Sequence, residues 1–349
     1  MRLSFSAGAI VGKKIYFSDG FLNALIEGDI RTGECVYIGK FPGEENSIRH
    51  LHRNAVLHDE CIVFGPDKGK YIHIYDINSG EIRGIKIFRS SNSEFVFSNS
   101  FIDGDDLWIF PGNIEQPILK VNLVSGEEEK YDNLVTVIGD KRSRQSCAVL
   151  NAIKYEKRIY APIFGTSSMV VFEMDTGKVS VKDLPIENMF FVFLINNKKW
   201  ISTRDSIFEW DDKSNVCIKY TIEDSVVEPI LFPGMQNKML LISAIGGEVY
   251  ELKTDTFILN PQLYFEKTTT YTIGLTYEGY LSTESGILIT PPYGKKCVLY
   301  ENGNFRELTL LMNKESWNQD MLISIKTGIS EEILYEGTYI ELNEFIKAI

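Results

Sequence analysis

Residues 53–88, RNAVLHDECIVFGPDKGKYIHIYDINSGEIRGIKIF, contain the pattern that decides the fold. Four short runs, RNAVL, CIVF, YIHIYDI and IRGIKIF, are separated by HDE, GPDKGK and NSGE. Short apolar runs bounded by turn-forming residues are typical of β-strands. Gly80 tolerates the positive φ of a tight turn, so the last two runs are expected to form a hairpin. The stretch therefore predicts four antiparallel strands, which we call a, b, c and d.

The same unit recurs seven times along the 349 residues. From the centre of strand b to the turn after strand c the spacing is 18 residues in the first four copies, as from Ile62 to Gly80, and 15 in the last three, as from Trp200 to Asn215. Four-stranded units at a period of about 40–50 residues are typical of the blades of a β-propeller. The strand b centres are Ile15, Ile62, Trp108, Ile159, Trp200, Leu240 and Leu288, and the turn residues are Gly33, Gly80, Gly126, Gly177, Asn215, Asp255 and Gly303.

We therefore predict an all-β protein: a seven-bladed β-propeller of four-stranded antiparallel blades over residues 1–312, followed by an extension over residues 313–349. In the extension, Leu342, Phe345 and Ile349 fall on one stripe of a short amphipathic C-terminal helix. We expect this helix to dock on the propeller at the join between the first and last blades. A role as a partner-binding helix is the alternative.

Alignment of the seven copies with one another assigns structural roles to several polar residues. Asp29, Asp76 and their counterparts lie four residues before the turn, where a short acceptor can bind the turn amides. Asn54, Asn99 and Asn151 adjoin the small residues of strand a, which suit the innermost strand of a blade. We expect these asparagines to connect neighbouring blades, with a ligand-binding role as the alternative.

The difference between 18 and 15 residues predicts that three residues are missing from the b-to-c loops of the last three copies. In a propeller these loops and the d-to-a crossovers lie on the same face, which we call the crossover face. The longer loops of the first four copies, among them SDGFLN and GPDKGK, would then crowd one side of this face. A localised function is expected on that side.

The segments GDIRTGEC, YDINSGEI, VNLVSGEE and FEMDTGKV resemble the strand-turn-strand units of bacterial propeller repeats in the quinoprotein-like and kelch-like groups. The resemblance covers residues 4–312 and concerns architecture. The tryptophan-docking positions of quinoprotein repeats are missing, and Gly246-Gly247 alone matches the double glycine of kelch repeats. The resemblance therefore implies neither a quinone cofactor nor any site residue.

Composition and charge exclude several classes of function. A formal net charge of -12 opposes a general binder of nucleic acid or anionic membrane, because such partners require an extended cationic surface. The N-terminal residues lack a signal-peptide pattern, and no apolar run is long enough to span a membrane, so we expect a cytoplasmic protein. Five cysteines without a CxxC pair indicate neither a disulfide framework nor a zinc site, and we predict no cofactor.

All four histidines lie between positions 50 and 73, which raises the question of a metal site. The internal alignment places His52 at the position of Phe5 and His73 at that of Ile26, so packing explains both residues. No Cys or carboxylate completes a ligand set at suitable spacing, and we predict no metal site.

The better candidates for a ligand site are cations on the crossover face. Successive crossovers would bring them around one opening although they are distant in sequence. A solvated surface without a specific role is the alternative. The predicted ligand-binding residues are Arg49, His50, Arg89, Arg142, Arg144 and Arg204.

No catalytic motif is present, so we predict a non-catalytic binding or scaffold protein that uses the rim of blades one to four. Its partner is expected to be a protein segment, with a small anionic ligand as the other option. The alternative function is an enzyme of lyase or hydrolase type that acts on an anionic substrate with His50 as acid or base. A third hypothesis places the protein in a larger assembly contacted through the C-terminal helix.

Overall fold

The computed structural model describes residues 1, 3–46, 50–89, 97–113, 115–131, 134–138, 149, 151–223, 229–233, 239–243, 248–264, 279–290, 297–317 and 319–328. All strands and helices named below lie within these ranges.

The described strands form four-stranded antiparallel units, which we number as sheets 1 to 7 in chain order. Sheet 1 is β1 (Phe5–Val11), β2 (Lys14–Asp19), β3 (Leu25–Asp29) and β4 (Glu34–Gly39); sheet 2 is β5 (His52–His58), β6 (Cys61–Pro66), β7 (Tyr71–Asp76) and β8 (Ile82–Lys86); sheet 3 is β9 (Phe97–Asp103), β10 (Asp106–Pro111), β11 (Ile118–Asn122) and β12 (Glu128–Tyr131); sheet 4 is β13 (Ile153–Tyr155), β14 (Arg158–Pro162), β15 (Ser168–Glu173) and β16 (Lys178–Asp183). Sheet 5 is β17 (Met189–Ile195), β18 (Lys198–Thr203), β19 (Ile207–Asp211) and β20 (Val216–Ile222); sheet 6 is β21 (Pro229–Pro233), β22 (Met239–Ser243), β23 (Glu248–Lys253) and β24 (Thr256–Tyr264); sheet 7 is β25 (Gly279–Ser282), β26 (Gly286–Thr290), β27 (Cys297–Glu301) and β28 (Asn304–Leu308). The remaining elements are α1 (Leu134–Ile138), β29 (Leu311–Met312) and α2 (Gln319–Gly328).

The middle of the second strand in each sheet is mostly apolar because both of its faces are buried. In β14, Ile159 and Ala161 pack toward sheet 3, whereas the intervening Tyr160 packs toward sheet 5. Side chains of a strand alternate between its two faces, so a strand between two neighbouring sheets needs apolar residues on both faces. This explains why strand b reads as a continuous apolar run.

One apolar cluster lies between each pair of neighbouring sheets, and a further cluster joins sheet 7 to sheet 1. The sheets therefore form a closed ring, and the predicted all-β propeller is confirmed. Representative pairs within these clusters are Tyr16 and Phe64, Ile74 and Ile109, Phe110 and Phe172, Val171 and Ile201, Trp200 and Leu241, Leu240 and Ile289, and Leu288 and Ile15.

Both ends of the ring contribute to its closure. Strand β29 pairs in parallel with β4, and the Leu3 amide donates to the Leu310 carbonyl at 3.0 Å. Met321 and Ile325 of α2 pack into the cluster between sheets 7 and 1. The described helix α2 therefore braces the join. The C-terminal helix predicted around Leu342 lies outside the described residues.

The outer hairpins follow the predicted turn chemistry in most sheets. The Asp29 carboxylate accepts hydrogen bonds from the amides of Arg31 and Thr32, and Asp76 and Asn122 do the same in their turns. Sheet 6 departs from the expectation, because Thr254 and not Asp255 has the positive φ, at 60°.

The predicted position of the missing residues is right for sheet 5 only. There, β18 ends at Thr203 and β19 begins at Ile207, which leaves a short b-to-c loop. In sheets 6 and 7 the outer hairpin is shorter instead, since Lys253 pairs with Thr256, and residues 302 and 303 alone connect the seventh pair of outer strands. Sequence spacing from strand b to the turn cannot separate a short loop from a tight hairpin.

Candidate functional site

The inner strands of neighbouring sheets are connected by asparagine side chains. Asn151 Nδ2 donates to the Val192 carbonyl at 2.7 Å, and the Val192 amide donates to Asn151 Oδ1 at 3.0 Å. Asn54 binds both backbone groups of Ser100 in the same way. Each amide thus replaces a pair of ladder hydrogen bonds between strands that diverge from the ring axis. The predicted structural role of these asparagines is confirmed.

A central cavity of about 350 Å³ lies among the inner strands of sheets 3 to 7. Its walls are mostly aliphatic and aromatic, with contributions from Phe101, Val192, Leu194 and Ile230. Ligand sites are typically concave, largely apolar and about 300–1,000 Å³ in volume. The cavity is at the lower end of that range.

The polar groups of the cavity are few and mostly engaged in structural contacts. Lys154 Nζ donates to the Ile102 carbonyl at 2.8 Å and contacts Asp103 at 3.1 Å. Tyr280 also lines the cavity, and burial raises the pKa of its hydroxyl. The described lining residues include no Asp, Glu, His or Cys. They offer a surface for apolar groups and no acid–base pair.

Two of the predicted site residues lie close together on the crossover face. His50 accepts a hydrogen bond from the Lys68 amide through its carbonyl oxygen, and Arg89 Nη1 donates to the Lys68 carbonyl. Burial lowers the pKa of Arg89, and the neighbouring carboxylates of Asp67 and Glu44 oppose this effect. The crossovers therefore do contact the b-to-c loops, as the topology requires.

Of the other predicted ligand-binding residues, Arg204 alone lies within the part of the chain that the structure describes. Arg204 is exposed in the b-to-c loop of sheet 5, and within the described part of the chain no hydrogen bond or ion pair connects it with His50 or Arg89. Arg49, Arg142 and Arg144 lie outside the described residues.

His52 and His73 are buried, as predicted, but they also form a hydrogen-bonded chain that sequence reasoning missed. His52 Nε2 lies 2.8 Å from His73 Nδ1, and His52 Nδ1 lies 2.9 Å from Ser18 Oγ. His73 Nε2 lies 2.9 Å from the carbonyl oxygen of Pro42. Burial lowers the pKa of both imidazoles, to about 4 for His73. The chain is closed to substrate because Ser18 and both imidazoles are at most 1% exposed.

A second buried polar pair lies between sheets 4 and 5. Lys199 Nζ binds Asp212 Oδ1 at 2.8 Å, and the Tyr160 hydroxyl donates to Asp212 Oδ2 at 2.6 Å. The ammonium group also lies 4.1 Å from the centre of the Tyr155 ring. Burial opposes ionisation of Asp212, but the hydrogen bonds from Lys199 and Tyr160 lower its pKa below the usual value. The pair is a structural ion pair between sheets 4 and 5.

Among the described residues, no group of three or more His, Cys, Asp or Glu side chains is placed to hold a metal ion. No described helix has the length and apolar character needed to cross a membrane.

No protein-family model and no curated protein matches this sequence. Solved structures match at the level of the fold. Virginiamycin B lyase from Staphylococcus aureus, in a catalytically inactive form with quinupristin, is 11% identical, with a TM-score of 0.60 and coverage of 89% of this chain and 96% of that chain. The extracellular domain of BT4673 from B. thetaiotaomicron is 15% identical, with a TM-score of 0.58 and coverage of 84% and 38%.

The computationally designed protein Ika8 is also similar, at 11% identity, a TM-score of 0.56 and coverage of 88% and 87%. These proteins include an enzyme, an extracellular domain and a design. At such identities the similarity establishes the propeller fold, and one fold supports many functions.

Proposed function

We propose that this protein is a non-catalytic binding protein whose central cavity receives the apolar part of a small ligand. The observation that carries the proposal is the cavity of about 350 Å³, which the inner strands of five sheets line with apolar side chains. Burial of apolar ligand surface is worth about 25 cal/mol per Å², so such walls favour binding without any charged contact.

The polar groups in the cavity support binding over catalysis. Asn99 and Asn151 are engaged with the backbone of the next sheet, and Lys154 is held by Ile102 and Asp103. General acid–base chemistry needs a titratable group that reaches the reacting atom. The described walls supply hydrogen-bond contacts from Tyr280 and Lys154 for a polar end of the ligand.

A fluorescent anilinonaphthalene sulfonate dye, which is an apolar anion, provides the first test. The variant Leu194→Trp fills part of the cavity, and Ile218→Trp is the matched control because Ile218 is 53% exposed on the outer strand of the same sheet. The dye should bind the wild type and Ile218→Trp equally. Its affinity for Leu194→Trp should fall at least tenfold, or about 1.4 kcal/mol. Equal affinity for all three folded proteins would exclude the cavity as the site.

The second candidate is an enzyme that acts on an anionic substrate, and the proximity of His50 and Arg89 around Lys68 favours it. Here His50 would serve as acid or base and Arg89 would hold the anion. Turnover of an anionic compound that is lost in His50→Gln and retained in Leu194→Trp would replace the first proposal by this one.

A further inference from the structure

The buried pair His52 and His73 holds the segment 40–46, which leads from sheet 1 toward sheet 2. Pro42 accepts a hydrogen bond from His73 Nε2 through its carbonyl oxygen. The Phe41 ring lies 4.4 Å from the His52 ring and 4.9 Å from the His73 ring, measured between centroids. Asn23 Nδ2 donates to the Phe41 carbonyl at 2.9 Å. The segment therefore rests on the two imidazoles and on one loop of sheet 1.

The hydrogen bonds fix one proton arrangement for the neutral pair. Because Pro42 offers only an acceptor, His73 must carry its proton on Nε2 and accept at Nδ1. His52 must then donate from Nε2 and accept at Nδ1 from the Ser18 hydroxyl. Each ring nitrogen already has a hydrogen-bond partner. An additional proton therefore creates a buried cation and removes one of these hydrogen bonds.

The described charged groups on the surrounding elements contact other partners. Asp19, beside Ser18, accepts from the backbone amides of residues 4, 21 and 22. On β5, Arg53 donates to the Ser98 carbonyl, and on β8 Arg83 donates to the Leu123 carbonyl. Glu44 accepts from the amides of Lys70 and Tyr71, and Asp67 interacts with Arg89. The uncharged neighbours of the pair are Gly84, opposite His73, and the rings of Phe64 and Tyr71.

We propose that the His52–His73 pair is a pH-sensitive latch that docks the segment 40–46 at neutral pH and releases it on protonation. Among the described residues, a buried imidazolium here faces aromatic rings and a neighbouring imidazole, and no carboxylate forms an ion pair with it. Undocking of Phe41 and Pro42 gives the imidazoles access to water, which removes the desolvation penalty. The end of the segment and His50 both contact the loop after β2, through Asn23 and Gly20 respectively, so release of the segment changes the crossover face.

The lowered pKa values fix the direction and the pH window. A histidine whose pKa is lower in the docked state binds fewer protons there, so acid favours the undocked state. The effect begins as the pH falls below the ordinary value of 6.5 and continues toward about 4 for His73. At pH 5, His73 alone favours undocking by about thirtyfold relative to pH 7.5.

Hydrogen exchange of the Phe41 and Asn23 amides, corrected for the intrinsic rate, tests the latch at pH 7.5 and pH 5. The Phe41 amide donates to Asn23 Oδ1 at 2.8 Å, and the Asn23 amide donates to the Asn46 carbonyl at 3.1 Å. In the wild type, protection of these amides should fall by about thirtyfold at pH 5, and at both pH values it should stay well below the protection of the core amide of Ile62 in β6. Undiminished protection at pH 5 would overturn the proposal.

The matched variant is His52→Phe/His73→Ile, which installs the residues that sheet 1 carries at the equivalent positions, Phe5 and Ile26. Its protection should not fall at pH 5. The control Glu44→Gln removes a second titratable side chain of this region, whose pKa is raised by burial, and should retain the loss of protection at acid pH. A pH-dependent loss in the double variant would contradict the latch. If that variant does not fold, the imidazole pKa of His73 measured by NMR in the wild type decides, and a value of 6 or above overturns the proposal.

Discussion

The buried ion pair of Lys199 and Asp212 tests whether equivalent positions in the repeated sheets are structurally interchangeable. Lys199 pairs with Trp210 as Ile15 pairs with Gly28 and Ile159 with Phe172. By strand pairing, Lys199 and not the predicted strand b centre Trp200 therefore occupies the position of the isoleucines in sheets 1 and 4. The residue at the position of Asp212 is also apolar elsewhere: Ile30, Ile77, Leu123 and Met174. In sheets 1 and 4 both apolar partners belong to one cluster. Sheet 5 therefore has an ion pair where other sheets have an apolar contact.

Single substitutions should be costly because each leaves a buried charge. Lys199 is 5% exposed and the Asp212 side chain 9% exposed. Asp212→Ala leaves the ammonium group without its carboxylate and the Tyr160 hydroxyl without its acceptor, so we expect a loss of about 3–5 kcal/mol in the free energy of unfolding. Lys199→Ile should cost less, because Tyr160 and Arg158, at 3.9 Å, still face the carboxylate.

The double variant Lys199→Ile/Asp212→Met restores the apolar pair of sheet 4. Its free energy of unfolding should lie within about 1 kcal/mol of the wild-type value or exceed it. Chemical denaturation at pH 7.5 of the four proteins in this cycle measures the coupling, which we expect to be at least about 2 kcal/mol. Additive losses, with the double variant less stable than either single variant, would refute the equivalence of the sheets.

Three other changes test the structure. Asn151→Ala should lower the free energy of unfolding by about 1–3 kcal/mol, because two backbone groups of the next sheet lose their partner; calorimetry measures this. Gly33→Ala should destabilise the protein far more than Gly80→Ala, although both glycines have positive φ. An added Cβ at Gly33 would lie 2.2 Å from the Thr309 carbonyl oxygen, whereas a Cβ at Gly80 would have nothing within 4 Å. Chemical denaturation of the two variants compares their free energies of unfolding. The free energy of unfolding should fall as the pH drops from 6.5 toward 4, by about 2 kcal/mol at pH 5 from His73 alone, because the unfolded state binds more protons; denaturation across pH tests this, and a rise in stability would contradict it.

The period of the repeat was sufficient to predict the propeller and its turns. Positions that must be apolar on both faces, such as Ile62 and Ile159, carry this information locally, and so do the glycines of the outer turns. The inter-sheet role of Asn54 and Asn151 followed from their recurrence beside small residues of strand a. The lengths of the loops in sheets 6 and 7 did not follow, since the same spacing fits a short loop or a tight hairpin.

The candidate site was less accessible to sequence reasoning. The cavity is formed by Phe101, Leu194, Ile230 and other residues that are ordinary apolar strand residues in the sequence. Nothing distinguishes them from core residues until the ring leaves space among the inner strands. The contact between His52 and His73 carried a weak signal, because two polar residues replace apolar ones on β5 and β7, the two strands that flank β6.

A crystal structure of the protein soaked with the dye tests the central claim most directly. The account predicts electron density for the dye in the central cavity, in contact with Leu194 and Tyr280, and none in crystals of Leu194→Trp. Density beside His50 and Arg89 on the crossover face, with the cavity unoccupied, would contradict the account.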